Sequence, residues 1–84
     1  MYSFDSLPEA REQAHTLPTE ALRFYAELLV FLELTPWVGK PYNEKEPNGA
    51  MRSQAFGPKD DGLVVYLVLE HQRRVVMLSV TWIG

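Results

Sequence analysis

The sequence predicts an α+β fold in which an antiparallel sheet packs against a helical hairpin, in the order β-α-α-β-β-β. Three observations carry this expectation. Leu63 to Leu69 and Val75 to Ile83 are apolar, β-branched runs on either side of the polar break Glu70-His71-Gln72-Arg73-Arg74, which reads as a β-hairpin. Upstream of Thr35 the apolar spacing changes to three and four residues, the period of a helix. Ahead of the helices stands a short aromatic segment, Tyr2-Ser3-Phe4, of strand character.

Each element has a local cause. Ser6-Leu7-Pro8-Glu9 offers a capping serine, a glutamate three residues on and a proline in the first turn, so a helix is expected over Leu7 to His15. Thr16-Leu17-Pro18-Thr19-Glu20 repeats that start signal and opens a second helix over Pro18 to Leu34. Its core stripe is expected to be Ala21, Phe24, Tyr25, Leu28, Leu29, Phe31 and Leu32, with Arg23 paired to Glu27 on the wet side. Thr35-Pro36 stops the helix, because the residue before a proline avoids the α region.

From Pro36 to Ala50 come three prolines, two glycines and two asparagines, which read as a long ordered loop held by Trp37 and Tyr42. Asn48-Gly49 turns the chain into a strand over Met51 to Phe56, where Met51, Ser53 and Ala55 alternate with Arg52, Gln54 and Phe56. Gly57 to Gly62 is a turn by composition. The run from Leu63 to Leu69 suits a strand buried on both faces, and the last strand is expected to place Val76, Leu78, Val80 and Trp82 on one side.

Eighty-four residues make one domain, 1–84, near the size at which a single core becomes marginal and association, including self-association as a homo-oligomer, adds stability. A hydrophobic content of 46% excludes a disordered chain. There is no cysteine for a disulfide or a thiolate site, and His15 and His71 are too few and too far apart for zinc, so neither metal nor cofactor is expected. The N-terminus lacks a leader pattern and the longest apolar run is the seven residues Leu63 to Leu69, which predicts a cytoplasmic protein with no membrane span. Net charge is −3, and it is unevenly placed: residues 1–39 hold two basic residues against six acidic ones, whereas residues 40–84 hold six against five. The helical half is acidic and the strand half carries most of the positive charge.

An antiparallel meander brings the start of the second predicted strand to the same end of the sheet as the hairpin turn. Arg52, His71, Arg73 and Arg74 then gather there, with Lys40 and Lys45 of the preceding loop within reach. This is the one constellation with chemical potential, since imidazole is the commonest general acid or base and clustered cations hold phosphate. The plainer alternative is a set of solvated turn residues, and loop solubility accounts for Glu44 and Glu46.

The element order resembles the RelE/ParE toxin superfamily of bacterial toxin–antitoxin modules, over nearly the whole chain. The segments Leu22 to Trp37, Pro47 to Arg52, and Val64 to Leu69 ahead of Arg73-Arg74-Val75 are similar to small actinobacterial proteins grouped with that superfamily. The resemblance implies a toxin that acts on translation by ribosome-dependent mRNA cleavage, an endoribonuclease with an antitoxin protein as partner and the ribosome and mRNA as targets. Arg52 matches the family's basic position on the second strand, which implies it as ligand of the scissile phosphate; from the cluster derived above, His71 is then expected as acid or base and Lys45, Arg73 and Arg74 as RNA contacts. Such cleavage needs the 2′-hydroxyl activated, phosphate charge neutralised and the leaving oxygen protonated. Leu63-Val64-Val65 stands where the family carries an arginine early in the third strand, and Thr81-Trp82-Ile83 where a basic residue is usual near the end of the last. Two other readings accompany the first: a non-catalytic protein-binding module, whether decayed toxin or homodimer, and a gyrase inhibitor of the ParE type.

Overall fold

The computed structural model describes residues 1–83, which form β1 (Ser3–Ser6), α1 (Pro8–His15), α2 (Thr19–Leu34), β2 (Lys40–Pro41), β3 (Met51–Phe56), β4 (Gly62–Leu69) and β5 (Arg74–Trp82). The five strands make one sheet in the order β1-β5-β4-β3-β2. β3, β4 and β5 pair antiparallel, as the hairpin signals require; β2, a two-residue strand inside the segment expected as a loop, pairs antiparallel with β3; and β1 runs parallel to β5, with Phe4 opposite Val75. The sheet is therefore mixed rather than wholly antiparallel. The two helices carry the chain from β1 at one edge of the sheet to β2 at the other, and β1 is tied to β5 by Ser3 N–H to the Arg73 carbonyl and Leu7 N–H to the Met77 carbonyl, both at 3.0 Å.

Both helices lie on one face. Ala10, Leu17, Ala21, Leu28 and Leu32 meet Val64, Tyr66 and Val68 of β4 and Val75, Met77 and Val80 of β5 in a single apolar core. Each fully buried aliphatic side chain there contributes on the order of 1.5–3 kcal/mol. Phe56 closes one end, its ring 5.7 Å from those of Tyr25 and Trp82. Trp82 lies over Gly57, whose φ of 97° is open to glycine and whose missing Cβ leaves room for the indole.

Several local expectations are corrected. Ser6 ends β1 instead of capping α1, the cap position falls to Leu7, and no side chain caps either helix. The first strand is shifted one residue onward from Tyr2-Ser3-Phe4, and Tyr2 is buried beside it. Phe31 points outward, because α2 turns its narrow stripe of Ala21, Leu28 and Leu32 to the sheet. Arg23 makes no ion pair with Glu27; its guanidinium carbon stands 5.1 Å over the Phe24 ring.

The two largest corrections concern the sheet. Only one face of β4 joins the core under the helices, through Val64, Tyr66 and Val68; on the other face Leu63 is exposed, Leu67 and Leu69 are half-buried and Val65 is buried among its strand neighbours. In β5, an irregularity opposite Val65 and Tyr66 pairs these with Ser79 and Met77, leaving Leu78 as the extra residue of a bulge. The bulge resets the alternation, so Val75, Met77 and Val80 face the core and Val76 and Leu78 the open side.

Candidate functional site

The end of the sheet where β3 begins and β4 ends is built around Arg52. Strand alternation puts Arg52 on the same face as Phe56, toward the core, and only 8% of its surface is exposed. A buried guanidinium needs acceptors for its five N–H groups. Here Nε and Nη2 donate to the Gly39 carbonyl at 3.1 and 2.8 Å, Nη1 to those of Pro47 and Gly49 at 3.1 Å each, and Nη2 also to that of Trp37 at 3.4 Å. Every donor is engaged by main chain of the loop between α2 and β3, and the Trp37 ring lies 5.3 Å from the guanidinium carbon. Where the sequence suggested a phosphate ligand, the hydrogen bonds of Arg52 hold the protein's own loop.

A second knot adjoins it. Glu70 accepts from Trp37 Nε1 at 2.7 Å, from the Tyr2 hydroxyl at 2.5 Å and from Arg73 Nη1 at 2.7 Å. These donors, Trp37 foremost, then Tyr2 and Arg73, favour the carboxylate and hold the carboxyl down to about 2. The same bond to Glu70, followed by burial, raises the Tyr2 phenol above its ordinary value. Arg73 takes a left-handed conformation, φ 50°, that closes the 3-10 turn Glu70–Gln72, and its guanidinium carbon stands 4.3 Å over the Tyr2 ring. The N-terminus, the turn after α2 and the β4–β5 turn are thereby tied together. Sequence reasoning missed Glu70, Tyr2 and Trp37, which lie far apart along the chain; the three-residue spacing of Glu70 and Arg73 was the only local trace.

The remaining predicted residues are found at the same end but in separate settings. Arg74 is ion-paired with Asp5 of the edge strand at 3.2 Å. His71 is exposed, with no side-chain hydrogen bond among the described residues, and borders a hollow of about 300 Å³ shared with Trp37, Ala50, Val68, Leu69 and Gln72. Lys45 sits apart from it, lining a cavity of about 630 Å³ in the β2–β3 loop with Tyr42, Glu44 and Glu46. No three of His, Asp and Glu converge as a metal site among the described residues, and no described helix is long and apolar enough to cross a membrane.

The open face of the sheet is apolar along its middle. Leu63, Val65, Leu67 and Leu69 of β4 stand opposite Thr81, Ser79, Val76 and Arg74 of β5, and Met51, Ser53 and Ala55 of β3 flank them on the other side. Its cations are marginal: Lys40 on β2 shares a hollow with Asp60, and Arg74 is held by Asp5.

No protein-family model matches the sequence, and no curated protein matches it at a significant level. Solved structures do match. The isolated RelE toxin of E. coli superposes on the whole of this chain with a TM-score of 0.83 at 16% identity, over 86% of its own length. A chain of the RelBE toxin–antitoxin complex of Mycobacterium tuberculosis matches at 0.72 and 25% identity, covering 98% of this chain and 91% of that one. A chain of the archaeal RelE–RelB complex of Pyrococcus horikoshii matches at 0.68 and 21% identity, covering 99% and 96%.

Proposed function

We propose that this RelE-like chain is the toxin-like member of a cytoplasmic toxin–antitoxin pair and that it acts through protein contacts on its sheet face rather than by cutting RNA. The observation that carries this reading is the state of its cations. Arg52 has no donor left for a phosphate, Arg73 and Arg74 are paired with Glu70 and Asp5, and the face between them is apolar. An RNA surface needs unpaired positive charge along its track, whereas an uncovered apolar sheet face suits an amphipathic protein segment. The likeness to RelE chains crystallised with RelB antitoxins supports an antitoxin as that partner.

A second reading, ribosome-dependent mRNA cleavage, is favoured by His71, Arg73 and Arg74 sharing one turn at the end of the sheet, with His71 exposed. Under it His71 is the acid or base and Arg74, freed from Asp5, the phosphate contact. The experiment that separates the two induces the chain in a bacterial host and, in parallel, adds purified protein to programmed ribosomes. Growth arrest with intact mRNA supports action on a protein target, a gyrase-type target included. Cleavage that disappears in His71→Ala and Arg74→Ala variants overturns it in favour of the nuclease.

A further inference from the structure

The outward side of α2 carries a second apolar surface, separate from the sheet face. Leu22, Ala26, Val30 and Leu34 follow at intervals of four residues, which aligns them as one ridge along the helix. Leu22 is 44% exposed, Val30 62% and Leu34 63%, and Phe31 beside them is 48% exposed. The opposite side of α2, through Ala21, Leu28 and Leu32, is already committed to the core. Among the described residues the apolar core does not include the ridge, and an exposed apolar row, unlike a single exposed leucine, is an informative feature of a surface. A row at spacing four is the feature that seats in the groove of another helix.

Charge selects the occupant. α2 bears Glu20, Glu27 and Glu33 against the single cation Arg23. Among the described residues none of these glutamates is in an ion pair, the two pairs being Arg73–Glu70 and Arg74–Asp5. A second copy of this chain would bring like charges onto them. We propose that the outer side of α2 docks a basic amphipathic helix of a partner protein, its apolar row on Leu22, Val30 and Leu34 and its Lys or Arg flanks on the three glutamates. Because the helices cover the other face of the sheet, this surface and the open sheet face point in opposite directions, and one chain holds two partner segments at once. The inference does not depend on how the sheet face is used.

Two synthetic amphipathic helical peptides, identical but for Lys or Glu at the flanking positions, test this against the isotope-labelled full chain by NMR. The Lys peptide is expected to bind roughly tenfold or more tightly than the Glu peptide and to perturb amides between Leu22 and Leu34. Val30→Asn and Leu34→Asn are each expected to weaken it roughly tenfold while leaving the thermal melt in place, since both side chains are exposed. Glu27→Lys is expected to weaken it severalfold without touching the apolar ridge. Equal affinity for the two peptides, perturbations centred on Leu63 and Leu67, or binding indifferent to Val30→Asn would overturn the proposal. So would a dimer in sedimentation equilibrium that Val30→Asn dissociates, which assigns the ridge to a second copy.

Discussion

The guanidinium of Arg52 grips the Gly39 carbonyl twice, from Nε at 3.1 Å and from Nη2 at 2.8 Å. With Pro47 and Gly49 held by Nη1, one side chain of β3 anchors both ends of the loop that precedes it. Arg52→Ala leaves these carbonyls without donors and is expected to cost about 3 kcal/mol, a fall in melting temperature on the order of 10–20 °C in a domain of this size. Arg52→Lys recovers less than half, because an ammonium lacks the planar fork. Thermal melts decide it: an unshifted melt with lost activity would return Arg52 to the role of phosphate ligand.

Gly39 and Tyr66 form a second tight pair. The Tyr66 hydroxyl donates to the Pro36 carbonyl at 2.6 Å, and a Cβ on Gly39 would run into that hydroxyl and the Ser53 carbonyl. Gly39→Ala is expected to cost about 2–3 kcal/mol through overpacking, and Tyr66→Phe about 1–2 kcal/mol through the unpaired carbonyl. The double variant should lose less than the sum, since removing the hydroxyl makes room for the methyl. Strict additivity in urea titrations would show that the two sites do not touch.

Glu70 makes stability depend on acid. Its carboxyl is lowered in the folded chain from an ordinary 4.5 to about 2, so the stability it adds is complete above 4.5 and drains away as pH falls toward 2. Glu70→Gln removes the charge and with it this dependence. The melting-temperature advantage of the unaltered chain over Glu70→Gln is expected at neutral pH and should shrink across that acid window. A constant difference across it would mean that the carboxylate form is not what the Trp37, Tyr2 and Arg73 donors favour.

Neighbouring residues of β4 should respond oppositely to truncation. Val64 is fully buried against the helices, and Val64→Ala is expected to cost about 2 kcal/mol. Leu63 lies on the open face, so Leu63→Lys should stay within about 0.5 kcal/mol yet abolish capture of an apolar partner segment. Parallel melts and partner titrations read both effects, and a large loss of stability in Leu63→Lys would mean that this face is covered within the monomer.

Legibility followed the range of the forces involved. The β-branched runs of β4 and β5, the proline-marked starts of α1 and α2 and the turn at Gly57 are local signals, and they place the elements to within a residue or two. The bulge at Leu78 has no local mark, so the expected stripe of β5 holds beyond it, at Val80 and Trp82, and fails before it, where Val75 and Met77 face the core in place of Val76 and Leu78. β1 gave no sign of its parallel partner, which lies some seventy residues on. Arg52 was legible as a position, while the carbonyls that surround its guanidinium were not. Its alternation with Phe56 already pointed it inward, and a carbonyl-rich Pro/Gly loop beside an inward arginine was the unread clue.

The pairing of β1 with β5 also sets a schedule for synthesis. Residues 3 to 6 have no strand to join until residues 74 to 77 have been made, an interval of roughly 4–15 s at ordinary elongation rates. During that time the helices can form but the sheet lacks β5, the interior strand that joins β1 to β4. The sheet therefore closes only after residues 74 to 82 have been made, and until then the nascent chain carries an open strand edge that another polypeptide can reach first.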